Sequence, residues 1–262
     1  MLNNPMRDKW TSGDTAIGGW MTTSNFLAAQ TMASAAFDYV CIDLQHGALD
    51  YGDVPAMLGA VELEGCSAIT RVPWNEPGII GKVLDAGSAG VIIPMVNTVA
   101  QCESAVRSCL YAPAGARSYG PVRAGIAHGS EYYKDANANV SVIPMIETVE
   151  ALANVDAILA VPGVDACYVG PADLSISLGL PPGNNDDEPV FMEALATIVA
   201  AANNAGVVAG CHTSSALVSK RREMGFRMIT ATSDLVALKV GIASELASAR
   251  GSSDAAADGG MY

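Results

Sequence analysis

Eight short apolar runs are spaced along this chain, and the segments between them carry Ala, Leu, Val and Met at intervals of three and four. The runs are AIGGWM (16–21), FDYVCID (37–43), SAITRV (67–72), GVIIPM (90–95), VSVIPMI (140–146), DACYVG (165–170), GVVAGC (206–211) and FRMITA (226–231). Runs that are apolar on both faces describe strands covered on both sides. The spacing in 53–64, 77–87, 98–110, 148–160, 190–204, 214–224 and 233–249 describes amphipathic helices. Strict alternation of the two is the pattern of an α/β protein closed into a (β/α)8 TIM barrel. A doubly wound sheet would carry a G-x-G-x-x-G turn after an early strand, and none is present. At 262 residues, half of them hydrophobic, the chain suits a single barrel domain over 1–250. Residues 251–262, small, polar and Gly-rich, are expected to form a disordered tail.

Two insertions interrupt the rhythm, 111–139 and 180–189. Both are expected on the face where barrel enzymes keep their loops, where they could enclose a substrate. With 14 Lys and Arg against 27 Asp and Glu, the net charge of −13 repels nucleic acid and anionic membranes, and both are set aside as partners. An anionic substrate would have to be received locally, by a cation, a metal or helix N-termini. No stretch reaches the roughly 18 uninterrupted apolar residues of a membrane span, and the first ten residues lack the layout of a signal peptide, so a cytoplasmic location is expected. The six cysteines form no CxxC pair and read as small buried hydrophobes in a reducing compartment.

Polar residues collect at or just after the ends of the apolar runs: Asp43 and His46 after the second, Arg71 in the third, Glu147 after the fifth and Asp173 after the sixth. In a barrel these ends form one rim, where strands aim their last side chains at a common centre. Each has an ordinary alternative. Glu147 could complement a helix dipole, Asp173 could cap a helix, His46 could be a turn residue, and Arg71 could be a surface cation. Four such coincidences on one rim are improbable. Two carboxylates without a cysteine pair make a hard, oxygen-rich site suited to Mg2+ or Mn2+ more than to zinc. A cation there could chelate a 2-oxo acid and acidify its methyl group, Arg71 could oppose the developing oxyanion, and His46 could transfer the proton. The rival Schiff-base route needs a lysine inside the barrel. Lys9, Lys82, Lys134, Lys220 and Lys239 all fall outside the strand runs, so the metal route is preferred.

The stretches DYVCIDLQHG, RVPWNEPGIIGKVLDAGSAGVIIPMVNT, ARSYGPVRA and IPMIETVEALANVDAILAVPGVDACYVGPADLS together resemble the HpcH/HpaI aldolase family, the metal-dependent pyruvate aldolases, from about residue 15 to about residue 245. The resemblance implies that Glu147 and Asp173 ligate a divalent ion, Mg2+ or Mn2+ first and Co2+ after them. It implies that Arg71 binds the keto oxygen and that His46 acts in acid–base chemistry paired with Asp85, which could serve a neighbour's site. Asp43 would lie near the metal-bound water, and the backbone of Gly170, Pro171 and Ala172 would approach the pyruvate carboxylate. Met145 and His212 depart from the family's pattern at the rim, where the acceptor aldehyde would bind.

The activity implied is reversible cleavage of a 4-hydroxy-2-oxo acid to pyruvate, or hydroxypyruvate, and an aldehyde. The assembly implied is a hexamer built as a trimer of dimers, with the last helix exchanged between subunits. Two rivals remain at this point: a lyase acting on coenzyme A thioesters, and a non-catalytic metal-dependent binder of 2-oxo acids.

Overall fold

The computed structural model describes residues 4–251. Its strands are Ala16–Met21 (β1), Tyr39–Asp43 (β2), Ser67–Arg71 (β3), Gly90–Ile93 (β4), Ser141–Pro144 (β5), Ala166–Val169 (β6), Val208–His212 (β7) and Met228–Ser233 (β8). Each of the eight apolar runs thus holds a strand. All pair in parallel, in the order β5-β4-β3-β2-β1-β8-β7-β6. A bridge between Met145 and Tyr168, with the Ile146 N–H donating to the Tyr168 carbonyl at 2.9 Å, joins the two remaining edges. The result is the nearly closed (β/α)8 barrel that the alternation predicts.

Inside it, side chains replace open space. An added Cβ at Gly18 would stand 2.1 Å from the Tyr39 ring, so β1 carries glycine where that ring crosses the interior. The Tyr39 and Tyr168 hydroxyls both meet Thr230 Oγ1, at 2.9 and 2.6 Å, which satisfies three hydroxyls that would otherwise be stranded in an apolar core. All six cysteines are free and buried, as their placement in the sequence suggests.

The surrounding helices are Pro5–Thr11 (α1), Phe26–Ser34 (α2), Val54–Leu63 (α3), Pro77–Asp85 (α4), Val99–Cys109 (α5), Val122–His128 (α6), Tyr132–Asn139 (α7), Val149–Ala153 (α8), Val155–Leu159 (α9), Pro171–Ser177 (α10), Pro189–Ala205 (α11), Val218–Met224 (α12) and Asp234–Ala249 (α13). Several begin on recognisable caps. Thr98 and Gln101 form a reciprocal capping box on α5, and Thr148 accepts the Ala151 N–H at 3.0 Å on α8. The expected helix over 148–160 is divided at Asn154 into α8 and α9. Apart from Gly251, the expected tail lies outside the described residues.

The insertion 111–139 departs from expectation in two ways. It is not one loop, because it contains α6 and α7, and it does not lie on the rim. It follows α5, which has already carried the chain back to the N-terminal end of the barrel, and it leads directly into β5. There Arg117 pairs with Asp85 at 2.7 Å, and Arg123 bonds Glu62 and the Ala86 carbonyl at 2.7 and 2.6 Å. Helix α1 covers the same end, with Asn4 Nδ2 donating to the carbonyls of Ala89 and Asn139 at 3.0 and 2.8 Å.

The second insertion does follow a strand and sits on the rim side, between α10 and α11. Ser175 of α10 donates to the Gly183 carbonyl at 2.8 Å, and buried Arg221 of α12 forks onto Asp186 at 3.0 and 2.5 Å, pinning this loop at both sides. No helix among the described residues is long and apolar enough to cross a membrane.

Candidate active site

The C-terminal ends of the strands surround a cavity of about 310 Å³. His46 and Arg71 border it on one side, and Gly170, Pro171, Ala172 and Asp173 on another. Met145, Tyr168 and His212 complete the wall. Eight positions singled out in the sequence therefore meet in one cavity.

Arg71 is held before any ligand arrives. Its Nε and Nη2 donate to the two oxygens of Asp43 at 2.8 and 2.5 Å, a forked pair across the register partners that end β2 and β3. Asp43 is fully buried. Burial pushes its carboxyl up, but the Arg71 hydrogen bonds and charge outweigh this, with help from the Trp20 indole N–H at 3.1 Å and the Gln45 amide at 3.0 Å. The group is therefore held below the usual carboxylate range and stays ionised. Asp43 thus acts on Arg71 directly.

Glu147 has the opposite environment. It is only 1% exposed, its Oε1 accepts the Met95 N–H at 2.7 Å, and its Oε2 is buried without a hydrogen-bond partner. Burial pushes its carboxyl up to about 7. The Met95 N–H opposes that rise, the Asp173 charge adds to it, and the Arg71 charge opposes it. The chain makes room for this carboxyl on purpose: a Cβ at Gly170 would lie 2.4 Å from Oε2. Met95 meanwhile holds a left-handed backbone, φ 55°, which costs a non-glycine residue energy and sits where its amide reaches Glu147. Asp173 lies in the first turn of α10 and is exposed, and the residue capping that helix is Gly170.

Beneath the cavity, Trp20 near the end of β1 organises the charged and aromatic groups. The Arg71 guanidinium carbon lies 5.0 Å from its ring centre, Tyr168 stacks on it at 5.7 Å, and His212 meets it edge-on at 4.9 Å. A search of the sequence for charge and hydrogen-bonding groups at strand ends passes over Trp20 and Tyr168. The signal that finds them is a large aromatic inside the strand run, in register with the residue two before an acid: Trp20 beside Cys41 and Tyr168 beside Met145.

Asp85 is not part of this cavity. It ends α4 at the opposite end of the barrel and bonds Arg117, so the expected pairing with His46 does not form within one chain. The physical reason is the direction of α4, which starts at the rim and carries its last residue away from it.

Residues 16–239 match the family model described as HpcH/HpaI aldolase/citrate lyase. The chain belongs to this family. Among similar proteins, a hydroxypyruvate/pyruvate aldolase of Rhizorhabdus wittichii is 38% identical over 94% of this chain and 99% of its own. A 2-dehydro-3,6-dideoxy-6-sulfogluconate aldolase of Pseudomonas putida is 33% identical, covering 88% and 90%. Among solved structures, an HpcH/HpaI aldolase/citrate lyase family protein of Burkholderia cenocepacia superposes with a TM-score of 0.87 at 31% identity, covering 94% of this chain and 99% of that one. Similarity at this level to family members, over nearly the whole chain, extends well beyond the site.

Proposed function

We propose that this HpcH/HpaI family member is a divalent-metal-dependent aldolase that reversibly cleaves a 4-hydroxy-2-oxo acid to pyruvate, or hydroxypyruvate, and an aldehyde. The observation that carries this reading is the buried, unpartnered Oε2 of Glu147, packed against Gly170 of the cavity that the Asp43-clamped Arg71 also lines. A buried carboxylate is stable in its charged form only beside a compensating charge. The names of the aldolase relatives support the reaction class.

The residues present fit a divalent ion. Glu147 and Asp173 offer hard oxygen donors that interact electrostatically, and the rise in the Glu147 pKa is what a cation would reverse. Among the described residues no cluster of three or more His, Cys, Asp or Glu is placed to hold a metal, so the remaining positions would belong to water and substrate. When bound, the ion supplies Lewis-acid polarisation of the 2-oxo acid. Mg2+ and Mn2+ suit this donor set first, and Co2+ after them.

The chain's own residues do the rest. Arg71, fixed by Asp43, sets a permanent charge against the oxyanion that develops at the keto oxygen when the adjacent carbon loses a proton. His46, exposed at the cavity edge, carries that proton and exchanges it with the hydroxyl formed or cleaved at the next carbon. The backbone of Gly170, Pro171 and Ala172 receives the carboxylate end, and Met145 and Tyr168 keep water from the enolate. His212 stands on the wall available to the aldehyde portion.

Asp85 enters this scheme from a second subunit, opposite that subunit's neighbour's His46. In support, α13 has no buried residue in the single chain and exposes Leu235, Leu238, Ile242 and Leu246, an apolar surface suited to exchange with a partner. A homo-hexamer made of three such dimers is the assembly we propose. A cytoplasmic location accords with the six unpaired buried cysteines.

The deciding experiment is deuterium exchange into the methyl group of pyruvate, followed by NMR. Exchange should require added Mg2+ or Mn2+ and stop after exhaustive chelation. Exchange that persists without metal would remove the proposal, and so would exchange unaffected by Glu147→Ala.

A further inference from the structure

The cavity lining contains one feature that enolate chemistry does not require. Met145, Tyr168, Pro171 and Ala172 offer thioether, aromatic and aliphatic surface, and among them β7 ends on an imidazole. A phenyl or isobutyl group would fill the same space without the cost of taking ring nitrogens out of water.

The His212 ring is well fixed. Its backbone is in register with Thr230 across β7 and β8, and its ring is set edge-on against Trp20, at an interplanar angle of 88°. Trp20 is itself immobilised by its hydrogen bond to Asp43 and by stacking on Tyr168. Burial and the nearby Arg71 charge push the imidazole down to about 4, against the opposing pull of Asp43, so the ring is neutral at physiological pH. A neutral imidazole presents one N–H donor and one nitrogen acceptor. Among the described residues, its environment consists of ring packing against Trp20 and the electrostatics of Arg71 and Asp43.

A fixed donor and acceptor pair on an otherwise apolar wall is complementary to a hydroxyl group, which both donates and accepts. It is a poor match for a second carboxylate, which would need a cation. Arg71, the cation of this cavity, is committed to Asp43 and to the keto oxygen. The cavity volume, at the small end of ligand pockets, fits short substrates.

We infer that His212 is a specificity-determining residue that hydrogen-bonds a substrate hydroxyl carried on the donor's nucleophilic carbon or on the carbon next to the acceptor's aldehyde group, favouring hydroxylated partners over their deoxy counterparts. The inference rests on the aldolase reading of the same cavity. The hydroxyl can belong to the donor, as in hydroxypyruvate, or to the acceptor, as in a 2-hydroxyaldehyde.

The test is a set of kcat/KM ratios in the condensation direction with Mn2+ present. One arm compares glycolaldehyde with acetaldehyde as acceptors for pyruvate, and the other compares hydroxypyruvate with pyruvate as donors to acetaldehyde. The unaltered enzyme should favour the hydroxylated member roughly tenfold or more in at least one arm, the discrimination expected of one hydrogen bond. The arm that shows the preference assigns the hydroxyl to donor or acceptor. His212→Leu should bring that ratio to within about threefold of unity through the hydroxylated member. His212→Asn, which keeps a neutral donor and acceptor, should retain part of it.

A ratio that His212→Leu leaves unchanged overturns the inference. Equal losses for both members of a pair, the mark of a purely structural ring, overturn it too, as does the absence of preference in both arms of the unaltered enzyme. If the unaltered enzyme condenses no pair with metal present, the aldolase reading itself has failed, an outcome distinct from any change in ratio.

Discussion

The two ends of this barrel are both rich in charge, and they treat it differently. At the N-terminal end, charges and amides find partners within the chain: Asp85 with Arg117, Glu62 with Arg123, and Asn4 with the Ala89 and Asn139 carbonyls and with Ser67 and Ser141. Helices α1, α6 and α7 cover that end. At the C-terminal rim, Asp43 and Arg71 are paired, but Glu147 keeps one buried oxygen without a hydrogen bond, near Asp173, which carries the same sign. The same residue types thus stabilise the fold at one end and leave a demand for a cation at the other. A carboxylate left with an unpartnered oxygen beside a cavity is the stronger candidate for chemistry.

The sharpest way to break this contrast is to disturb the rim. Arg71→Met should lower kcat/KM for pyruvate condensation by about 10²- to 10³-fold, as loss of an oxyanion donor does. It should also lower stability, by about 3–5 kcal/mol, because Asp43 is left buried and unpaired. Kinetics and urea unfolding read the two effects separately. An active, stable variant would show that the Asp43–Arg71 fork is neither.

Glu147→Gln tests the leftover charge through stability alone. Because the Glu147 pKa is raised from 4.5 to about 7, the folded protein binds more protons than the unfolded chain between those values. Metal-free stability should therefore fall as pH rises from about 4.5 to about 7 and level off above. The penalty at pH 8 should be on the order of 3 kcal/mol. Glu147→Gln removes it, so the metal-free variant should melt above the unaltered protein at pH 8 and not at pH 4.5. Identical melting curves at both values would mean that Glu147 is not under strain.

Gly170→Ala places a methyl group against Glu147 Oε2 and the Met145 methyl. Metal affinity by calorimetry should drop about 10- to 100-fold, the range for changes that displace a ligand without removing it. Unchanged affinity would detach the Gly170 cradle from the site. The smallest effect belongs to the other end. Asn4→Ala should cost about 1–2 kcal/mol of stability through its lost hydrogen bonds and leave the kcat of the purified enzyme unaltered. A change in kcat would mean that the two ends are coupled.

Much of this arrangement was legible in the sequence. The eight strands could be read because each is a contiguous apolar run, and the rim residues because each stands where such a run ends. Glu147, Asp173, Arg71, Asp43 and His46 could be picked out on that basis, whereas Met145, His212 and the Gly170–Pro171–Ala172 turn came from the family resemblance. The rest depended on chain direction. The 111–139 insertion reads as a rim segment on rhythm alone, yet its face depends on whether it follows a strand or a helix. Asp85 reads as a partner for His46 that could serve a neighbour's site; within the chain the direction of α4 gives it to Arg117, and the pairing across subunits is the one we propose. Trp20 carried no charge to draw attention, although Arg71, Tyr168 and His212 all pack against it.

By itself, then, the sequence determined the barrel and the ring of candidates, because hydrophobic periodicity and strand ends are local properties of the chain. Only the tertiary structure decided which carboxylate is stabilised and which is strained. Asp43, which ends β2, and Glu147, which stands just past β5, are both carboxylates and both buried. One meets a guanidinium and the other meets a single amide. The difference in their acidity comes from neighbours tens of residues away in the chain, which no local pattern contains.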